Sequence, residues 1–254
     1  MIHFFRKERW RLAQDNQFLK YGRYAIGEIA LVVVGILIAL QVNNWNEDKN
    51  TQQIEHKLLK ELKTDLEETR ADLLTDMEKN RLDLKVTDSL YQLARDIQSG
   101  ASDQPVRISM EFLYNRPDLF PKNSAYESLQ AFGINLVSND SLRKGITDLY
   151  ELQLVRVDVL EKYIKEMLEK EFVPYLMKSS VAEKECADCS SLEGMFSPNE
   201  SLNANYYQVE KPEEQLLHLL KTKYLTYSAL TGLYTTTEEK IDRLIRTIDA
   251  ETRP

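Results

Sequence analysis

The sequence predicts an all-α protein, with one N-terminal transmembrane helix followed by an extracytoplasmic bundle of three long helices and one or two short ones. Three observations carry that reading. The stretch from Ala25 to Val42 holds only Glu28 and Gln41 as clearly polar side chains. Eight Gly and seven Pro in 254 residues, with 29% of the chain charged, favour long helices over a turn-rich sheet. The charge is also divided: residues 1–24 carry six Lys or Arg against two acids, and the remainder carries 27 against 39. A basic leader ahead of an acidic body is a membrane-topology signal. The net charge of −8 also argues against a nucleic-acid partner, which calls for a basic face.

At about 1.5 Å per residue, Ala25 to Val42 spans roughly 27 Å, close to the hydrocarbon thickness of a bilayer. Ile29 to Leu40 has no polar face, unlike a core helix of a soluble protein. A cleaved signal peptide would have a shorter apolar region ending in small residues before the cut. Here the stretch runs on into "ALQVNNWNE". The reading is an uncleaved signal anchor in the lipid bilayer of a bacterial inner membrane. The positive-inside rule puts the basic leader, residues 1–24, in the cytoplasm and the chain beyond Val42 in the periplasm. Tyr21 and Tyr24 then anchor the cytoplasmic interface and Trp45 the far one. Trp10, with Phe4, Phe5 and Leu12 among basic residues, suits a helix lying flat on headgroups, or a simple retention signal.

Within the span, Glu28 has two readings. Near the end of the helix it can reach back to the interface and pair with Arg23 or Lys20. Alternatively, an intramembrane acid marks an oligomer contact or a proton path. Gly35 and Ala39 form a small-xxx-small pair suited to helix–helix contact, with Gly27 near the same face two turns earlier.

The segment "YAIGEIALVVVGILIALQVNNWNE", preceded by "FFRKERWRL", resembles the N-terminal signature of an uncharacterised single-pass inner-membrane family of Bacteroidota. "NSAYESLQAFGINLVSNDSLRKGITDLYE" is a looser echo. The resemblance implies a basic leader, an anchor and a helical body. It implies location and topology rather than chemistry.

Residues 48–254 form the predicted extracytoplasmic bundle. Residues 48–98 contain no Gly or Pro, and Leu62, Leu73 and Leu84 lie eleven apart, as do Leu66 and Met77, and Leu58, Thr69, Asn80 and Tyr91. Eleven residues in three turns predicts one long, nearly straight helix whose narrow stripe meets partner helices as in a coiled coil. A short helix is expected at about Val106 to Asn115, and another in "SAYESLQAFG", stopped at Gly133. "SNDS" offers N-caps for a long helix running to Pro174, which should kink or end it. Residues 179–211 read as a loop and the last helix begins near Pro212. No strand pattern rises above background.

Catalytic signatures are sparse. His3, His56 and His218 are scattered, and no metalloprotease, phosphate-loop or nucleophile-elbow motif occurs. The acid-rich segments read as solvated helix faces. Cys186 and Cys189 form a C-x-x-C with three readings: a local disulfide suited to an oxidising compartment, a labile redox pair, or half of a metal site. Tyr224, Tyr227 and Tyr234, after Tyr206 and Tyr207, lie at helical spacing and read as core rather than a ligand groove. No enzyme activity, cofactor or metal is indicated. The expected role is a scaffold or assembly factor. It would pair with itself through the span and first long helix, or bind an unidentified membrane or periplasmic protein. The alternatives are a sensor-like ligand-binding bundle acting through a partner, and a stator-like subunit using Glu28.

Overall fold

The computed structural model describes residues 18–114, 116–179 and 206–253; Trp10, Cys186 and Cys189 lie outside them. The chain is mostly helical and divides into two units, Met1–Lys57 and Leu58–Pro254.

Helix α1, Phe18–Gln98, contributes residues to both units. In the first unit it includes an apolar window of mean hydropathy 2.4, none of it buried inside the chain. Ile29, Leu31, Ile36, Leu37, Ile38 and Leu40 are all exposed. This is one N-terminal helix long and apolar enough to cross a membrane.

In the second unit the buried face of α1 follows a different period from the one its apolar residues suggest. Leu62, Thr69, Asp76 and Asp83 are buried and lie seven apart. So are Leu59, Leu66, Leu73, Asn80, Thr87 and Ala94. Leu84 and Met77, which the eleven-residue rows place on the stripe, are only half-buried. The seam advances by alternating steps of three and four, and its central positions are polar, so a count of apolar residues misses it.

The last helix, α7 at Glu214–Glu251, has the same period. Leu216, Lys223, Leu230, Thr237 and Leu244 form one row; Leu220, Tyr227, Tyr234, Ile241 and Ile248 form the other. The two seams meet antiparallel. Lys63 Nζ lies 2.6 Å from Asp249, Arg70 Nη2 lies 2.9 Å from Glu238, and Gln98 Nε2 donates to the Pro212 carbonyl at 3.0 Å. The chain thus covers its own first long helix between these points, and an oligomer contact on that seam would have to displace α7.

Strand β1, Val106–Ser109, pairs antiparallel with β2, Tyr206–Val209, Val106 opposite Val209. The short helix expected from Val106 is therefore a strand followed by one turn of helix, α2 at Met110–Tyr114. The end of the expected loop at 179–211 supplies the other strand. Val106, Ile108 and Val209 are buried, and the alternation Val-Arg-Ile-Ser is a two-residue period too short to stand out in sequence.

Helix α3, Ser124–Phe132, ends at Gly133 with φ 97°, the left-handed stop expected there. Its start is capped from another helix. Asn123 makes no side-chain cap bond, whereas Asp65 of α1 accepts from the Ala125 N–H at 2.8 Å and the Ser124 hydroxyl at 2.9 Å.

The third long helical run comprises α4 (Asp140–Asp148), a π turn (Leu149–Gln153), α5 (Leu154–Met167), a second π turn (Leu168–Phe172) and α6 (Val173–Ser179). Asn139 caps it, accepting from the N–H groups of Ser141 and Leu142. Pro174 does not end the helix: it follows a wide turn in which the Val173 N–H already reaches back five residues to the Leu168 carbonyl, so the ordinary ladder is open where proline lacks a donor. Here the buried positions do recur every eleven residues: Leu142, Gln153, Ile164 and Tyr175; Ile146, Val157 and Leu168; Tyr150, Glu161 and Phe172.

This run packs on α7 at Gly145, where an added Cβ would stand 2.9 Å from Leu244 Cδ2. Gly145→Ala is expected to change the stability of the full-length protein in detergent by no more than about 1 kcal/mol, because the roughly 1 kcal/mol gain in helix propensity offsets the shift that the tip of Leu244 must make. Leu244→Ala should cost less on the Gly145→Ala background than alone, because the added methyl fills part of the space that Leu244 leaves. Strictly additive losses in denaturant melts would show that the two residues do not compete for the same space.

Candidate functional site

The polar positions of the three long helices converge in the interior of the second unit. Glu161 on α5 is 7% exposed and sits in the middle of this region. The Tyr234 hydroxyl of α7 donates to its Oε1, and the Leu119 N–H donates at 3.3 and 3.4 Å to its two oxygens. Burial pushes the Glu161 carboxyl up to about 7, against the lowering effect of those two hydrogen bonds; the charges of Asp118 and Asp76 raise it further. Asp76 is itself buried on α1 and is paired with Lys79 at 2.9 Å. Burial, and then Glu161, hold the Tyr234 phenol well above its ordinary range.

Further along the α1–α7 seam, Asn80 donates to the Tyr227 carbonyl at 2.9 Å and to the Thr231 hydroxyl at 2.6 Å. Next comes a buried ion pair, Lys223 Nζ to Asp83 at 2.9 Å, with no exposed part of the Lys223 side chain. The ammonium also lies 4.0 Å from the Phe112 ring centroid and 4.1 Å from that of Tyr227. Both rings offer it a negative face in place of water. Burial lowers Lys223 to about 8 although Asp83 opposes the shift, and burial raises Asp83 although Lys223 opposes that.

Beside Glu161 an open cleft of about 360 Å³ is lined by Leu119, Pro121, Tyr126, Glu127, Gln130, Tyr150, Val155 and Asp158, among others. Tyr126 and Tyr150 stack face to face with centroids 4.3 Å apart, the Tyr126 hydroxyl donating to Glu151 at 2.8 Å. Leu119 belongs to both places: it lines the cleft and its N–H is held by Glu161. Among the described residues, no three of His, Cys, Asp and Glu are grouped to hold a metal ion. The arrangement can bind and release a proton in a sealed interior beside a cleft that solvent enters.

The residues marked from sequence lie elsewhere. Ala25, Glu28, Gly35, Ala39 and Val42 all fall on α1 in the first unit, as do Tyr21, Tyr24 and Trp45. Tyr24 and Trp45 are exposed, with Lys49 Nζ 5.6 Å from the Trp45 ring centroid. Of the tyrosine row, Tyr227 and Tyr234 are core and Tyr224 is exposed. His56 and His218 are at the surface. Asp76, Asp83 and Glu161 belong to the acid-rich segments expected as solvated faces, yet they occupy core positions. The seven-residue spacing of Asp76 and Asp83 with Leu62 and Thr69 was the available signal.

A family model described as a family of unknown function (DUF6090) matches residues 28–175. The chain belongs to the DUF6090 family. The DUF6090 match covers α1 from Glu28 onward, the first strand, α3 and the third helical run as far as Tyr175; α7, with Lys223 and Tyr234, lies beyond it. No match to the chain is found among curated proteins or solved structures.

Proposed function

We propose that this DUF6090 protein is a single-pass inner-membrane protein that holds its second unit in the periplasm and works by binding other proteins, as a scaffold or assembly factor. The anchor is Ala25 to Val42, residues 1–24 are the cytoplasmic leader, and the source is a bacterium of the Bacteroidota type that the N-terminal signature resembles. The observation that supports the anchor is the apolar window on α1, which the chain itself leaves uncovered. In water that surface would be costly to expose; in lipid it is at home. Protein binding is supported by Leu152, Val155, Val159 and Tyr163, which are 41–60% exposed and recur along one face of the third helical run. A second reading, ligand sensing, draws on the cleft at Leu119 and Tyr126.

The topology is testable directly. In intact spheroplasts, added protease is expected to digest residues 58–254 and leave a membrane-embedded N-terminal fragment. Complete protection in spheroplasts, with digestion only after lysis, would reverse the orientation. Release of the whole protein by alkaline carbonate would remove the anchor.

A further inference from the structure

The amide-rich run that follows the apolar stretch has no part in the second unit. Asn43, Asn46, Asn50 and Gln53 are all exposed on α1. At about 100° per residue, Glu28, Val32, Gly35, Ala39, Asn46, Asn50 and Gln53 fall within roughly 60° of one another around the helix. Val32, Ala39, Asn46 and Gln53 lie seven apart. Gly27, by the same count, turns about 80° away from Gly35, so it leaves this face. Asn44 and Trp45 point to other sides.

We propose that this face pairs with the same face of a second copy of the chain, in parallel, with the amides setting the register. Three features select a second copy as the occupant. A carboxamide carries both a donor and an acceptor, so an identical amide opposite it satisfies both. A single Asn at a helix seam fixes register and partner number in this way. The flanks are complementary as well. Lys49 lies on one edge of the face and Glu47 on the other, and a parallel two-fold turns the Lys49 edge of each chain toward the Glu47 edge of its partner, so that like charges do not oppose. Finally, a Cβ at Gly35 would meet nothing within 4 Å, and with Ala39 one turn on, two backbones can approach closely there. The inference rests on the membrane reading above. Anchoring would hold two copies parallel and confine them to one surface, which raises their effective concentration.

Single cysteines in the full-length chain, with Cys186→Ser and Cys189→Ser, test it in native membranes under mild oxidation. Asn46→Cys and Gln53→Cys are expected to give disulfide-linked homodimers, and Asn44→Cys, on the far side, to remain monomeric. Ala39→Cys should also cross-link, and adding Asn46→Ala and Asn50→Ala should reduce it to the Asn44→Cys level. Equal cross-linking at residues 44 and 46, an adduct with a different protein instead of a homodimer, or a membrane-embedded chain that never cross-links would each overturn the pairing while leaving the anchor intact. Recovery of the chain in a carbonate wash would overturn the anchor and the pairing together.

Discussion

Glu161→Gln is expected to flatten the pH dependence of unfolding between about pH 4.5 and 7. The folded carboxyl titrates at about 7, against an ordinary value of 4.5, because burial disfavours its charge. The folded state therefore holds this proton more tightly than the unfolded state does. Its contribution is fully present below about pH 4.5, declines as the pH rises through 7, and is gone above that. The shift corresponds to about 3 kcal/mol between the two ends of the window. Gln keeps a carbonyl that accepts from Tyr234 and cannot ionise. Urea melts of the full-length protein in detergent at pH 5 and pH 8 should thus show a wild-type loss that the variant lacks. Asp83 is raised too and has the same sign, so the informative quantity is the difference between the two proteins. Parallel profiles, offset but equally steep, would show that Glu161 does not titrate in this range.

Asp83→Ala should be the most damaging single change to the α1–α7 seam. It leaves Lys223, fully buried, without its counter-ion. Breaking a buried pair at one end typically costs about 3–5 kcal/mol, because the remaining charge has neither water nor partner. Raising the pH should return part of the loss: without Asp83 to hold it up, the buried Lys223 gives up its proton below the value of about 8 it has in the intact pair, and the folded state gains as the pH rises from there toward the ordinary lysine range. Replacing both partners, Asp83→Leu with Lys223→Met, should be close to neutral or stabilising by about 1–4 kcal/mol. If Asp83→Ala cost under about 1 kcal/mol at pH 7, the pair would have to be hydrated in solution.

The helical architecture was legible because its punctuation is local. Gly133 stops α3, Asn139 caps α4, and Glu213 stands at the N-cap of α7 one residue after Pro212. The apolar window was legible because eighteen residues with one acid leave few alternatives. The core seam was not, because its centre is built from Asp76, Asn80, Asp83, Thr87 and Lys223. These are residue types that a single sequence assigns to the surface, and only the opposing helix reveals their partners. Glu161 was hidden for the same reason: its donors come from Tyr234 and Leu119, seventy-three and forty-two positions away. The β1–β2 pair joins segments about a hundred residues apart, and neither four-residue stretch identifies itself alone.

The two π turns in the third helical run have a consequence for how the chain tolerates changes in length. Steps of four, four and three residues between buried positions carry the run past α7 without its inner face drifting away. Each π turn acts as a spacer with one residue more than an α turn needs. Removing one residue at Leu149–Gln153 would therefore leave an α turn that covers nearly the same rotation with four residues, and everything beyond it would stay in register. Glu161, Ile164 and Leu168 would keep their inward facing. A one-residue deletion is therefore expected to be tolerated inside either π turn, but not in the plain α-helix Leu154–Met167, where it would rotate all that follows by about 100°. Expression of the deletion variants as folded, protease-resistant protein would read this out.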